Sequence, residues 1–425
     1  MSSDSIQIHG EVAPGFESVK ALYEHNMRNL FEKQTQLCVY HQGERVVDLW
    51  ASVREGDGFS ADSLVNVFSS GKSLEAIAMA WLYGKGLLTY DARVIDYWPE
   101  FGANGKQALT IAELMRHEAG LATFGTSISP EDLLPENLRQ NRIGKIIEAL
   151  PQKFRANQGS TREYHAITRG WIVNEVFRRI DPAGRTIGEF LAQEISGPLE
   201  VDANIGVQAH DLTRVVDVSP LSVRFQILEG LKPRFLGRRT ELNIVQTAVR
   251  LLRLLPGLRG GTTAGSPPPF VGMKKITFFN DRSVRMGETP SANATCSARA
   301  LARIAAMMSA RGKFGPTELL SGAAWQAMHD APDRKDMGFG TSTFTQGGVA
   351  RFQTADQSFT EADHRFNGGR EGFYGWMGLG GSLFQWHPEH DIGFGYVPTS
   401  LNVFDLFNER GKTYQAEVLR CVQRR

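Results

Sequence analysis

The chain has 425 residues, a length that allows about three domains, or one large domain with an insertion. A hydrophobic fraction of 41% with 22% charged residues is ordinary for a folded protein and excludes a largely disordered or fibrous chain. The formal charge of +1 provides no overall field that would attract phosphate backbones, so we expect no nucleic-acid partner. Three widely separated cysteines predict neither a disulfide framework nor a zinc motif.

The sequence also bears on location. The first residues lack a basic segment followed by an apolar run, so we expect no secretory signal and a cytoplasmic protein. No stretch approaches the roughly 18 apolar residues of a membrane span, so we expect no stable membrane insertion. The oligomeric state is left open.

Short strands open the chain. Two of them, Leu37–His41 and Val46–Trp50, are joined across a Gln-Gly-Glu-Arg turn and predict a hairpin. A third apolar run, Ser63–Phe68, gives way to Lys72–Tyr83, whose apolar residues keep helical spacing up to the glycine that follows.

The middle of the chain is predicted to be mostly helical. Thr110 and Glu113 have the spacing of a capping box, which predicts a helix start. The most periodic stretches are Ile143–Leu150, Gly170–Arg179 and Leu242–Leu255. The last is apolar with two arginines; a lid or a membrane-contacting helix would fit, but we expect a packed helix with solvated arginines.

The C-terminal part returns to strands. Residues 256–269, rich in glycine and proline, predict a loop and the best internal boundary. After them come a helix, two strands flanking a turn, and a final helix: Ser297–Met308, Ser382–Trp386, Ile392–Val397 and Tyr414–Val422. Strands at both ends predict an α+β fold, with a sheet domain of residues 1–75 and 260–425 and a mostly helical inserted domain of residues 76–259.

The segment Ser69-Ser-Gly-Lys72 is the most informative motif. A serine and a lysine three apart at a helix start share one face, as in the S-x-x-K arrangement of serine hydrolases. The lysine can act as base if burial and a neighbouring cation lower its pKa from about 10.4 towards 7 or 8. Taken alone, the motif is better interpreted as an ordinary helix N-cap serine with a solvated lysine.

A phosphate-binding loop is the competing interpretation of the same residues. Gly71-Lys72-Ser73 matches the end of the G-x-x-x-x-G-K-[ST] pattern. The first glycine of that pattern is replaced by Asn66, and the loop needs that glycine to turn around phosphates. We therefore do not favour nucleotide binding.

Further segments, in order along the chain, support the hydrolase. They are Phe68–Ser73, Leu109–Leu121, Tyr164–Trp171, Gly197–Leu199 and Gly380–Leu383. With them the chain resembles the serine β-lactamase and penicillin-binding-protein superfamily, most closely the class C β-lactamase-like esterases called family VIII carboxylesterases. The resemblance implies a β-lactamase-like fold, an antiparallel sheet flanked by helices with an inserted helical domain, and an active site in the cleft between the two domains.

The resemblance also implies site residues. Ser69 would be the nucleophile, Lys72 its partner in proton transfer, and Tyr164 the general base and then acid. We expect the pKa of a phenol beside an ammonium to fall below its free value of about 10. The backbone N–H groups of Ser69 and Leu379 would form the oxyanion hole.

Two departures from the lactamase motifs point to the substrate. Trp376-Met377-Gly378 stands where lactamases have Lys-Thr-Gly, and Ala166 replaces an asparagine. An aromatic wall in place of a cation favours a neutral, apolar ester. Trp376, Met377, Gly378 and His165 are the candidate substrate-binding residues, although for His165 a structural role is the preferred interpretation.

These observations predict a serine hydrolase that cleaves carboxylic esters through an acyl-enzyme on Ser69, with weak β-lactam hydrolysis as a side activity. Two alternatives stay open. One is an acyltransferase using the same acyl-enzyme, and the other is a non-catalytic binding or filament-forming module. We expect a small-molecule ester as partner, no cofactor and no metal, since the turn His387–His390 lacks a helical HExxH frame.

Overall fold

A computed structural model of the chain describes residues 6–153, 162–249, 252, 266–337 and 340–424. Its strands, in chain order, are β1 Gln7–Val12, β2 Gln34–His41, β3 Glu44–Ser52, β4 Leu64–Asn66, β5 Ala203–Asn204, β6 Val215–Val216, β7 Ser219–Pro220, β8 Thr295–Cys296, β9 Lys313–Phe314, β10 Thr317–Glu318, β11 Asp333–Asp336, β12 Thr341–Phe344, β13 Ala350–Arg351, β14 Tyr374–Met377, β15 Leu383–His387, β16 Ile392–Pro398 and β17 Ser400–Leu401. Within these described ranges, no helix is both long and apolar enough to cross a bilayer.

Helices occupy most of the chain between the strands. They are α1 Glu17–Asn29, α2 Lys72–Gly84, α3 Ile111–Met115, α4 Pro135–Leu138, α5 Arg142–Ala149, α6 Thr168–Ile180, α7 Ile187–Phe190, α8 Gly197–Leu199, α9 Val223–Leu231, α10 with its described part at 244–249, α11 Arg282–Met286, α12 Ala298–Ser309, α13 Gly322–His329, α14 Glu361–Asn367 and α15 Glu409–Gln423.

Nine strands form one antiparallel sheet in the order β1-β3-β2-β16-β15-β14-β13-β12-β11. Strands from the two ends of the chain meet where β2 pairs with β16, so that Val39 lies opposite Phe394. The other strands form small sheets, among them one in the order β5-β8-β4-β6 and the parallel pair β7-β17.

Each face of the main sheet is covered by helices. Along β16, Ile392, Phe394 and Tyr396 belong to a core shared with α1 and α15. Helix α12 packs on the opposite face of β16 and β2, within the larger core that includes α2 and α6. Side chains of a strand alternate between faces, so one strand contributes to both cores. The predicted α+β class, with helices flanking an antiparallel sheet, is confirmed.

Most predicted elements are confirmed, and one boundary is wrong. The hairpin is β2–β3, the helix predicted at Lys72–Tyr83 is α2, and Thr110 Oγ1 accepts the Glu113 N–H at 3.2 Å as a capping box requires. The final helix begins at Glu409, five residues before the predicted start. Its first turn carries a charged residue, Arg410, that is buried by an ion pair with Glu32.

The stretch Leu242–Leu255 departs from expectation in its described part. Residues 244–249 are helical, but Val245 and Val249 are exposed, so the interpretation as a helix packed through its apolar stripe is wrong there. The predicted boundary loop lies mostly outside the described residues. The division into domains at residues 75 and 260 stays a prediction.

Candidate active site

The candidate nucleophile lies where a buried strand turns into a helix. Ser69 is half-buried in a 3-10 turn, Phe68–Gly71, that leads directly from β4 into α2. Phe68 has φ +48°, a conformation that non-glycine residues rarely adopt. Its N–H donates to Asn66 Oδ1 at 2.8 Å, and its ring packs on Phe279 at 5.0 Å. These contacts hold the turn that presents the Ser69 hydroxyl.

Lys72 points back at this hydroxyl. Its Nζ lies 3.2 Å from Ser69 Oγ, 2.7 Å from the Ala166 carbonyl oxygen and 2.9 Å from the Ser291 carbonyl oxygen, and the residue is buried. A neutral amine has two N–H donors and one lone pair. With the two carbonyls accepting both N–H groups, the lone pair is left to accept the proton of Ser69.

The surroundings favour this neutral form. Burial lowers the pKa of Lys72 well below its usual range, because the ammonium loses its hydration. The carboxylate of Glu75 opposes the shift, and the buried guanidinium of Arg169 adds to it. Lys72 therefore has the property that a general base needs near neutral pH.

Tyr164 lies beside both groups. Lys72 Nζ is 4.9 Å from the centre of its ring, its phenol is hydrogen-bonded to Ser69, and Trp376 Nε1 donates to its Oη at 2.8 Å. Burial nevertheless raises the pKa of Tyr164 to about 12, against the hydrogen bonds from Ser69 and Trp376. The expected fall of this pKa is wrong, because the cost of burying the phenolate outweighs the hydrogen bonds and the charge of Arg169, which lower the pKa.

Trp376 is placed differently from the expected substrate wall. Only 3% of it is exposed, and its ring packs against Phe344 at 4.9 Å and Tyr164 at 6.0 Å. Met377 is 6% exposed and packs in the same core. The indole therefore positions the phenol of Tyr164. The side chains of Trp376 and Met377 are too buried to form a broad surface for substrate.

The glycine-rich turn after β14 is fixed to the nucleophile's strand. Ser382 Oγ donates to the Val67 carbonyl oxygen at 2.6 Å and lies 3.1 Å from Ser70 Oγ. At Gly378 a β-carbon would lie 2.2 Å from the Val67 oxygen, so only glycine allows this approach. Leu379 follows in the same turn, next to the start of the Ser69 helix. Its N–H as oxyanion donor stays a prediction.

His165 does not reach substrate, which corrects its inclusion among the substrate-binding candidates. The ring is fully buried; its Nε2 accepts the Leu121 N–H at 2.9 Å, and its Nδ1 lies 2.6 Å from the Glu163 carbonyl oxygen. Burial lowers the pKa of His165 to about 4, so the ring is neutral at physiological pH. The ring connects the backbone at Glu163, just before Tyr164, to the backbone of Leu121, which is the structural role that the preferred interpretation anticipated.

Sequence reasoning missed a charged pair beneath the site. Arg169 and Glu75 are both fully buried, with Nε donating to Oε2 at 3.0 Å. Arg169 Nη2 also donates to the Lys72 carbonyl oxygen at 3.0 Å, which fixes the backbone of the base. Both residues lie within or next to motifs that carry the resemblance. Their spacing alone gives no sign of burial.

His117 was missed in the same way. It is fully buried with φ +66°, its Nδ1 accepts the His165 N–H at 3.1 Å, and its ring lies 4.8 Å from that of Tyr164. Burial drives its pKa well below 6.5. The two buried histidines, His117 and His165, thus help to position Tyr164.

Comparisons with known proteins bear on the family and the fold. The chain is 29% identical over 308 residues to the "Esterase/beta-lactamase LipL" of Mycobacterium tuberculosis (strain ATCC 25618 / H37Rv), a match that covers 70% of this chain and 65% of that relative. The chain thus spans less than two thirds of the relative's length.

Two solved structures share the fold. One, described as a family VIII carboxylesterase, has a TM-score of 0.75 at 24% identity and covers 98% of this chain and 100% of its own. The other, EstA from Arthrobacter nitroguajacolicus Rue61a, has a TM-score of 0.73 at 25% identity and covers 97% and 98%. These likenesses confirm the predicted β-lactamase-like fold.

The sequence model of the family described as Beta-lactamase matches residues 27–410, nearly the whole chain. The chain therefore belongs to the beta-lactamase family.

Proposed function

We propose that this protein hydrolyses carboxylic esters through an acyl-enzyme on Ser69. The observation that carries the proposal is the contact of Lys72 Nζ with Ser69 Oγ at 3.2 Å, with two backbone carbonyls holding the other positions of a buried amine. A serine hydroxyl needs such a base at neutral pH.

In the acylation step, the Ser69 proton passes to Lys72 as Oγ bonds to the ester carbonyl carbon, and the carbonyl oxygen becomes an oxyanion. The N–H groups of Ser69 and Leu379 would donate to that oxyanion. The C–O bond to the alcohol then breaks. The leaving alkoxide takes a proton from Tyr164, which is replenished from the protonated Lys72.

Deacylation reverses the roles. Water attacks the acyl carbon, its proton passes to the Lys72–Tyr164 pair, and the C–Oγ bond breaks to return the proton to Ser69. Tyr164 suits the donor role because its raised pKa keeps it protonated until an alkoxide, a far stronger base, forms beside it.

The neutral surroundings support an ester over a β-lactam. At the two positions where lactamases have a lysine and an asparagine, this chain has Trp376 and Ala166. Without a cation at the first of these positions, an apolar acyl or alcohol group fits the site better than a carboxylate.

Intact-protein mass after brief exposure to an activated short-chain ester or a serine-directed phosphonate tests the proposal. We expect one adduct on the wild type and none on Ser69→Ala. Ser73→Ala is the matched control, because the buried Ser73 hydroxyl lies one turn along the same helix and has no hydrogen-bond partner among the described residues. Adduct formation and ester turnover in Ser69→Ala would overturn the assignment.

If no adduct forms on a folded wild-type protein, the non-catalytic module becomes the better interpretation. If an adduct forms and is released faster by an added alcohol than by water, with the ester of that alcohol as product, the acyltransferase alternative is favoured.

A further inference from the structure

Most exposed large apolar side chains of the chain lie in one segment. Within the described residues there are ten, and nine of them fall between residues 223 and 252. Scattered exposed apolar residues are normal, but a contiguous group indicates an interaction surface.

Helix α9 carries the first part of this surface, with its amphipathic character inverted. Its apolar residues at positions 223, 227, 228 and 231 share one face by their spacing and are 41–61% exposed. The buried side carries instead the polar Gln226 and Glu229. A helix in a water-soluble fold normally turns its apolar face inward, so this face is built for an apolar environment.

The turn after α9 and helix α10 continue the surface. Phe235 is 86% exposed and Leu236 64%, and Val245, Val249 and Leu252 repeat at helical spacing with 41–65% exposure. The two helices lie close together. A β-carbon on Gly230 would be 3.1 Å from the Ile244 nitrogen. We call the exposed apolar residues of this segment the apolar patch.

The charges around the patch identify its partner. Residues 222–249 contain five arginines and lysines and two glutamates, in a chain whose overall charge is +1. Both glutamates are turned inward: Glu229 pairs with Lys232, and Glu241 pairs with the buried Arg410. Arg224 and Arg234 are exposed beside the patch. The solvent side of this segment is therefore apolar and cationic.

We propose that this segment binds the surface of an anionic lipid bilayer, with Phe235 and the α9 stripe in the interface and the arginines on the headgroups. An apolar face with a basic border is the composition of interfacial helices. A second copy of the chain fits less well, because a symmetric contact would bring two cationic surfaces together.

The patch is connected to the candidate active site. The Leu221 N–H, just before α9, donates to the Leu401 carbonyl oxygen at 2.9 Å. Leu401 packs against Gly380, where a β-carbon would lie 2.6 Å from its Cδ2, and Gly380 follows Leu379. Binding a bilayer would thus hold the oxyanion side of the site near lipid esters. The lipid-binding inference itself does not rest on esterase activity.

Vesicle cosedimentation of the full chain tests the inference, using phosphatidylcholine vesicles with and without phosphatidylglycerol. We expect strong binding only when phosphatidylglycerol is present, and weaker binding as salt rises. Phe235→Ser should weaken it about tenfold or more, because the ring leaves the interface. Arg224→Gln with Arg234→Gln should weaken it about fivefold per charge.

Controls separate the patch from general effects. Val271→Ser removes an exposed apolar side chain outside the segment, and Lys313→Gln removes an exposed charge far along the chain on β9; both should bind as the wild type does. Ser69→Ala should also bind normally, so loss of turnover in that variant leaves this inference standing.

Three outcomes would overturn the inference. The first is that the wild type does not bind phosphatidylglycerol vesicles. The second is that Phe235→Ser and the double arginine variant both bind these vesicles as strongly as the wild type does. The third is a wild-type dimer in sedimentation velocity that Phe235→Ser converts to monomer. The last would assign the patch to a second copy. The free energy of unfolding in urea should be nearly unchanged in every patch variant, which shows that the variants fold whether or not the protein hydrolyses esters.

Discussion

Replacing Trp376 by phenylalanine separates two roles for this residue, a wall for substrate and a support for Tyr164. The indole is 3% exposed, and its N–H donates to Tyr164 Oη at 2.8 Å. In Trp376→Phe the ring packing is largely kept and that donor is lost. The comparison therefore tests whether the hydrogen bond contributes to catalysis.

The size of the effect follows from the charge on Tyr164. A hydrogen bond to a neutral phenol contributes about 0.5–1.5 kcal/mol, and one to a charged group about 1.5–3 kcal/mol. As Tyr164 gives its proton to the leaving alkoxide, the phenol gains negative charge. The bond then stabilises the transition state by about 1–1.5 kcal/mol more than the resting enzyme. We therefore expect kcat to fall roughly five- to fifteenfold with little change in KM.

Steady-state kinetics on a soluble ester, with the free energy of unfolding measured in urea, checks this expectation. Phe366→Leu is the matched control, since Phe366 packs 6.3 Å from the Trp376 ring and loses packing without touching the hydrogen bond. A raised KM at unchanged kcat in Trp376→Phe would refute the reasoning, because it would indicate that Trp376 contacts the substrate directly. Equal falls of kcat in both variants would attribute the loss to packing.

Three further predictions follow from the buried charges. Since the pKa of Lys72 lies well below 10.5 and the neutral amine is the base, kcat/KM should rise with pH along a limb that ends well below pH 10.5, and an acidic limb centred near 10.5 would contradict this. Glu75→Gln should lower the free energy of unfolding by about 3–5 kcal/mol, because it leaves Arg169 buried without its partner; a loss under 1 kcal/mol in urea unfolding would be inconsistent with that pair. His165, with a folded pKa of about 4 against 6.5 unfolded, stabilises the fold fully above pH 6.5 and loses about 3 kcal/mol of that contribution as pH falls through 4; ring protonation near pH 6.5 in an NMR titration would disprove it.

The parts of the fold that depend on local pattern could be predicted from the sequence. Helix α2 and the β2–β3 hairpin repeat their apolar residues with the period of the element, and Ser69 and Lys72 come together because one helical turn separates them. The start of α15 could not be read in this way, because its first turn carries charges that only tertiary pairing buries.

The site beyond Ser69 and Lys72 required more than spacing. Tyr164 is 92 positions beyond Lys72 in the chain, so only the ordered resemblance named it. The burial of the Glu75–Arg169 pair could not be predicted, because charged residues at helical spacing are expected to face solvent. For α9 the error is the reverse, since its apolar stripe is expected to be buried but is exposed. In each case burial is set by which elements pack together, a property that a single strand or helix pattern does not carry.

The reversal at Tyr164 shows how burial changes the chemistry that a motif implies. The residue types alone predict a cation beside a phenol and therefore a lowered pKa of the phenol. In the folded protein the same burial acts on both groups with opposite sign: it lowers the pKa of Lys72 and raises that of Tyr164 to about 12. Burial therefore favours the neutral form of both groups. In the proposed acylation step, the amine would accept the proton of Ser69, and the phenol would give its proton to the leaving alkoxide, which is a strong base.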